Sequence, residues 1–216
     1  MHIDIVHDTV CPWCRIGKHN LDSALAQWAG EPVTLRYIPY FLNPDLPPEG
    51  VPYRALMAGK YAGVSLEQLF DGPRQAGARM GLTFNFELIE RAASTVLSHR
   101  LIALTPPEHR EAIIDAVHVA YFERGQDISR LDVLLDLAAA IGLDRAEMQR
   151  LLESDAAEAD VLNEARQMSQ AGITGVPFFI FNGKWALSGA QPPRVFAEVL
   201  AKVAAENTMH ASASDG

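Results

Sequence analysis

The sequence has 216 residues, 49% hydrophobic and 21% charged, which suits one elaborated globular domain or one domain carrying a large insertion. Its formal net charge is -9 with a pI near 5.2, and its 18 lysines and arginines form no runs. That pattern argues against nucleic acid or an anionic membrane surface as a partner.

The first eight residues carry no basic leader or long apolar region and do not read as a secretory signal. No later stretch is long enough to span a bilayer. Two cysteines are too few for a disulfide scaffold. They are expected to be a dithiol in a reducing compartment, with the cytoplasm as the location.

Ile3, Ile5 and Val6 lie in a short alternating run that predicts a first strand. Cys11 then opens a helix, with Pro12 at the first helical position, where its fixed φ fits and its missing N–H has no intrahelical partner. Gly30-Glu31-Pro32 breaks that helix, and Val33 to Ile38 alternates as a second strand, so the opening residues form a βαβ unit. From Asn43 to Gly50 a proline-rich connector follows. The chain is then expected to be helical to about Ala171. Ser65, Thr105 and Asp144 each stand three residues ahead of Glu or Gln, as helix N-caps do. Val176 to Phe181 returns to strand character, Asn182-Gly183 signals a hairpin, and a last helix is expected over Pro193–Ala205.

The chemistry is expected where the first strand meets the first helix. A thiolate is the reactive form of cysteine, and a helix N-terminus stabilises an anion through unsatisfied N–H groups and the macrodipole. Two intervening residues place Cys14 about one turn beyond Cys11. Cys11 is therefore the candidate nucleophile and Cys14 the resolving thiol. No metal is expected, since a zinc site needs more ligands than one cysteine pair and the seven histidines show no short metal spacing. Two inert buried cysteines are the plainer alternative.

Pro177, inside a β-forming run, should sit at a strand start or edge and leave the backbone of Val176 open to an extended peptide or to glutathione; a simple loop-to-strand proline is the other reading. Trp13, Tyr40, Phe41, Phe178 and Trp185 are candidates for an apolar groove, and core packing serves them equally well.

Asp8 to Lys18 around the Cys11-Pro12-Trp13-Cys14 motif, Leu42-Asn43-Pro44, Ser98 to Leu101, Ala120-Tyr121-Phe122, Gly175 to Phe179 and Ser188 to Pro192 occur in an order that resembles the DsbA-like thioredoxin family, most closely its FrnE-type branch. The resemblance covers nearly the whole chain. It implies an α/β thioredoxin-like fold over residues 1–42 and 172–206 with an inserted α-helical domain over 43–171; residues 207–216, small and polar without periodicity, are expected to form a flexible tail. It also implies disulfide exchange at Cys11 and Cys14, with a cis Pro177 facing them. Pro12, Trp13 and Val176 are then expected to contact substrate, and Asn43, His99 and Arg100 are further candidates, the last two for a glutathione carboxylate or another anion.

The implied partners are protein or small-molecule thiols and disulfides, with no tightly bound cofactor, glutathione as a candidate co-substrate and a homodimer as a candidate assembly. A neighbouring branch holds glutathione-dependent 2-hydroxychromene-2-carboxylate isomerases and kappa-class glutathione transferases. It resembles this chain in architecture but has serine at the place of Cys11, so an isomerase or transferase is the second reading. A non-catalytic peptide-binding holdase is the third.

Overall fold

The computed structural model describes the backbone of residues 1–214 and the side chains to residue 207. Strand β1 (His2–His7) runs into helix α1 (Pro12–Leu25), which crosses back to strand β2 (Thr34–Pro39). β1 and β2 are parallel, with Ile3 opposite Leu35 and Ile5 opposite Tyr37, a pairing that needs a crossover helix. The other edge of β1 pairs antiparallel with β5 (Phe178–Phe181), which turns back into β6 (Trp185–Ser188), giving the order β2-β1-β5-β6. This mixed α/β sheet is thioredoxin-like.

Period-two alternation sorts the sheet residues onto two faces. Ile3, Ile5, Phe179 and Phe181 pack against Leu21 and Ala24 of α1 and against Phe196, Leu200 and Val203 of α9 (Pro193–Ser214). Val6, Ile38, Phe178 and Ile180 face the other way, toward Ile173 and Met168 at the end of α8 (Glu158–Gln170). Each fully buried Leu, Ile or Phe stabilises the fold by about 1.5–3 kcal/mol. The hairpin closes as its sequence predicts: Asn182 and Gly183 have φ of 49° and 66°, and the Lys184 N–H donates to the Phe181 carbonyl at 3.0 Å.

Between β2 and β5 the chain is mainly helical: α2 (Tyr53–Lys60), α3 (Leu66–Ala78), α4 (Val96–Leu104), α5 (Pro107–Phe122), α6 (Leu131–Ala140), α7 (Arg145–Glu153) and then α8. Their core joins Leu101, Ile113, Val117, Leu134 and Ala138 to an aromatic row in which Phe70 stacks on Phe86 with centroids 4.5 Å apart. Ile16 of α1 is buried in this same core. Helix α1 thus has one side against the sheet and another against the helices, which fixes the dithiol between the two.

Four features differ from the sequence expectation. A two-stranded ladder, β3 (Val51–Pro52) with β4 (Arg91–Ala92), interrupts the helical block; two-residue strands leave no periodicity to detect. Ser65 and Asp144 cap their helices, but the Thr105 hydroxyl donates backward to the Leu101 carbonyl at 2.8 Å, and Pro106-Pro107 opens α5 instead.

Helix α9 continues to Ser214 rather than ending near Ala205 and fraying from Asn207. Glu206 anchors it by accepting from Lys184 Nζ at 2.8 Å and Trp185 Nε1 at 3.0 Å, and the Ala211-Ser212-Ala213 stretch does not oppose a helix. Residues 215–216 of the expected tail lie outside the described residues.

Arg100 does not overlook the redox centre. Its buried guanidinium donates to the carbonyls of Leu151, Ser154 and Ala156 and pairs with Glu158 at 3.2 Å, so it holds together the end of α7 and the start of α8. Unsatisfied helix-terminal carbonyls are a natural partner for such a cation.

Candidate active site

The loop after β1 is a tight one. The Cys11 N–H donates to the Asp8 carbonyl at 3.1 Å, Cys11 takes the N-cap position of α1 with φ -92° and ψ 112°, and Pro12 stands at the first helical position. The Cys14 N–H returns to the Cys11 carbonyl at 3.1 Å, which places both sulfurs at the helix start. Thr9 shares a 2.8 Å hydroxyl hydrogen bond with Ser98, tying the loop to α4.

Both cysteines are free thiols, and both are recessed, with Cys11 4% and Cys14 3% exposed. The Cys11 thiol lies 3.6 Å from the Val176 carbonyl, toward which it donates. Burial pushes the Cys14 thiol well above its ordinary pKa; its hydrogen bond and charge interaction with Cys11 add to this, while the Asp8 main-chain N–H pulls the other way. Cys14 therefore keeps its proton in the reduced protein.

The Val176–Pro177 peptide bond is cis, and Pro177 meets α1 where the helix has Gly17. A Cβ on Gly17 would lie 2.8 Å from Pro177 Cγ and 3.2 Å from Phe179 Cζ. Neither ring can swing aside, so glycine is what allows α1 to touch this loop. Gly17→Ala is expected to destabilise the fold by about 1–3 kcal/mol, as overpacking does, seen as a lower urea midpoint with an unchanged m-value.

In front of Cys11 lies a cavity of about 220 Å³. Cys11, Pro12, Trp13, Asn43 and Val176 line it, and Trp13 is 41% exposed at its edge. The helical block supplies the opposite wall: Tyr53, Met57, Lys60, Phe70, Phe86 and Tyr121. Apart from Tyr121, which falls in the Ala120-Tyr121-Phe122 motif, these were not singled out from the sequence, since nothing local ties residues so far apart to position 11. Of the five aromatics expected to form a groove, Trp13 belongs to the cavity. Tyr40, Phe41, Phe178 and Trp185 do not: Tyr40 and Phe178 pack on the sheet face with Val6, Phe41 lies edge-on to His99, and Trp185 sits under Lys202 at 3.9 Å.

His99 is buried beneath the loop rather than in the cavity. Its Nε2 is 3.4 Å from Asp8 Oδ1, and its ring meets His7 edge-on at 5.0 Å. The other Asp8 oxygen accepts the Leu42 N–H at 2.8 Å, which fixes the segment bearing Asn43. His99 thus supports the loop from behind and does not reach an anion beside Cys11. Asn43 Oδ1 accepts from Lys60 Nζ at 2.8 Å at the cavity mouth.

The arrangement brings a dithiol, a helix N-terminus, the Val176 carbonyl and an apolar chamber into one place. Comparison with known proteins follows the same line. A probable DsbA oxidoreductase from Streptomyces coelicolor is 31% identical, superposes with a TM-score of 0.83, and covers 94% of this chain and 89% of its own. Two more distant structures share the fold. A 2-hydroxychromene-2-carboxylate isomerase is 16% identical with a TM-score of 0.72, over 96% of this chain and 98% of its own. The cytosolic disulfide reductase DsbM of Pseudomonas aeruginosa, solved with GSH, is 20% identical with a TM-score of 0.59, over 94% and 98%. The DSBA-like thioredoxin domain profile matches residues 2–201, and the chain belongs to that family.

Proposed function

We propose that the protein is a thiol–disulfide oxidoreductase in which Cys11 attacks and Cys14 resolves. The observation that carries this reading is the free Cys11 thiol at the N-cap of α1, on a cavity wall and 3.6 Å from the Val176 carbonyl. The Cys11 thiolate attacks one sulfur of a substrate disulfide and expels the other half as a thiolate. Cys14 then gives up its proton and attacks Cys11 Sγ, releasing the second half and leaving a Cys11–Cys14 disulfide. Once Cys11 is in the mixed disulfide it no longer donates to Val176, whose carbonyl is free to accept an N–H from an extended substrate.

Glutathione is proposed as a co-substrate. The GSH-bound DsbM structure, which shares the fold, supports this, and the cytosolic setting of DsbM supports a cytoplasmic location. Among the described residues no helix is long and apolar enough to cross a membrane. The likeness to the isomerase keeps that activity as the second reading, but an isomerase would leave Cys14 without a task.

Reduction of insulin by dithiothreitol or glutathione is the test. The oxidoreductase accelerates it and needs Cys11, whereas a holdase binds peptide equally well with Cys11→Ser. An isomerase converts a chromene carboxylate with glutathione and survives Cys14→Ala.

A further inference from the structure

We propose that the chamber in front of Cys11 takes a small, mainly apolar disulfide bearing an acidic group, and that Lys60 receives that group. This rests on the oxidoreductase reading and names its substrate class.

Two features of size point to a small molecule. The volume of about 220 Å³ lies below the roughly 300–1,000 Å³ usual for drug-sized ligands, so the chamber holds one compact group. Cys11, which carries the reacting sulfur, is 4% exposed, so the partner sulfur must come in to it.

The walls set the chemistry. Trp13, Tyr53, Phe70, Phe86 and Tyr121 give ring faces and edges, and Met57 gives a polarisable thioether, a lining suited to an aromatic or branched aliphatic group.

Charge then selects among apolar ligands. Lys60 Nζ donates to the Leu42 carbonyl at 2.9 Å and to Asn43 Oδ1 at 2.8 Å, both neutral acceptors. An ammonium has three donors, so one remains. Lys18 and Lys184, by contrast, sit against carboxylates at 2.8 Å. In a chain of net charge -9, a lysine held by neutral acceptors at the mouth of an apolar chamber complements a carboxylate or sulfonate on the ligand.

The reaction balances without a further reagent. The reduced protein and one R–S–S–R give the Cys11–Cys14 disulfide and two R–SH: the two cysteine thiols are oxidised, the substrate disulfide is reduced, and the two thiol protons end on the released thiols.

The test uses pre-reduced full-length protein freed of reductant and mixed with excess probe, with thiol release followed by absorbance. The probes are dithiobis-nitrobenzoate, aromatic and anionic, and dithiodipyridine, aromatic and neutral. The rate with dithiobis-nitrobenzoate is expected to saturate with concentration. Lys60→Met is expected to lower the anionic-to-neutral ratio of second-order rate constants about 2- to 5-fold, the range for an exposed ion pair, and Lys60→Glu to lower it further. Lys60 is exposed, so both variants keep the fold.

Rates that stay linear in both probes, or a ratio that Lys60→Glu does not move, overturn the proposal while insulin reduction persists. Loss of reaction with insulin and both probes overturns the oxidoreductase reading as well.

Discussion

Cys11→Ser is expected to abolish disulfide reduction, lowering insulin turnover by about a thousand-fold or more, without lowering the urea midpoint. The reason lies in what surrounds the side chain. The polar neighbours of Cys11 Sγ are the Val176 carbonyl, an acceptor that cannot take a proton, and the Cys14 thiol, which keeps its own. A serine hydroxyl there stays neutral, because it lacks both the acidity of a thiol and an adjacent base. The fold does not suffer, because Cys11 is the N-cap of α1 and makes no side-chain capping bond, whereas serine is among the preferred N-cap residues. Activity and stability therefore part company in this variant, which separates a chemical role for Cys11 from a packing one. Equal losses in both would contradict the assignment.

The second large effect is on stability at acid pH. His7 and His118 are buried, and both are held well below the usual imidazole pKa, His118 at about 3. Burial is the main cause for each. The charges of Arg15, Lys18 and His99 add to it at His118, and those of His99, His118 and Lys18 at His7. Both rings are neutral in the folded protein, and the unfolded chain takes up a proton on each near pH 6.5.

Between that pH and about 3 the unfolded state binds more protons, so stability is full above 6.5 and falls as the pH drops through this window. The slope is about 1.4 kcal/mol per pH unit for His118, so two units remove roughly 2–3 kcal/mol, and His7 adds to the loss in the same direction. Glu111 works against this, because burial raises its carboxyl and acid favours its folded form.

Both ring nitrogens of His118 lack a hydrogen-bond partner, so His118→Phe is expected to raise stability at pH 5 and to flatten the profile. Urea midpoints measured from pH 7 to pH 4 check this. A wild-type midpoint that holds constant across that range would contradict it.

How much of this was legible in the sequence depends on the range of the cause. The β1-α1 junction is local: alternation ends at Asp8, proline fits the first helical turn, and cysteine spacing follows from helix pitch. The hairpin at Asn182-Gly183 is local too, since its two positive φ values call for those residues. The far wall of the cavity was not legible, because Tyr53, Lys60, Phe86 and Tyr121 reach Cys11 through the packing of helices on one another.

Arg100 and His99 read as anion-binding candidates from the resemblance, because sequence position does not show what a helix residue packs against. Tertiary structure instead gave Arg100 the carbonyls at the end of α7 and gave His99 the buried carboxylate of Asp8. Gly17 drew no notice within the helix, yet the ring of Pro177 needs its missing side chain.

Mass mapping of Cys14→Ser protein after treatment with one equivalent of oxidised glutathione tests the division of labour between the two sulfurs most directly. A single stable glutathione adduct on Cys11 is the predicted result, with wild-type protein passing on to the intramolecular disulfide under the same conditions. No adduct on Cys11 of the Cys14→Ser protein, or a wild-type protein that retains glutathione on Cys14, would contradict it.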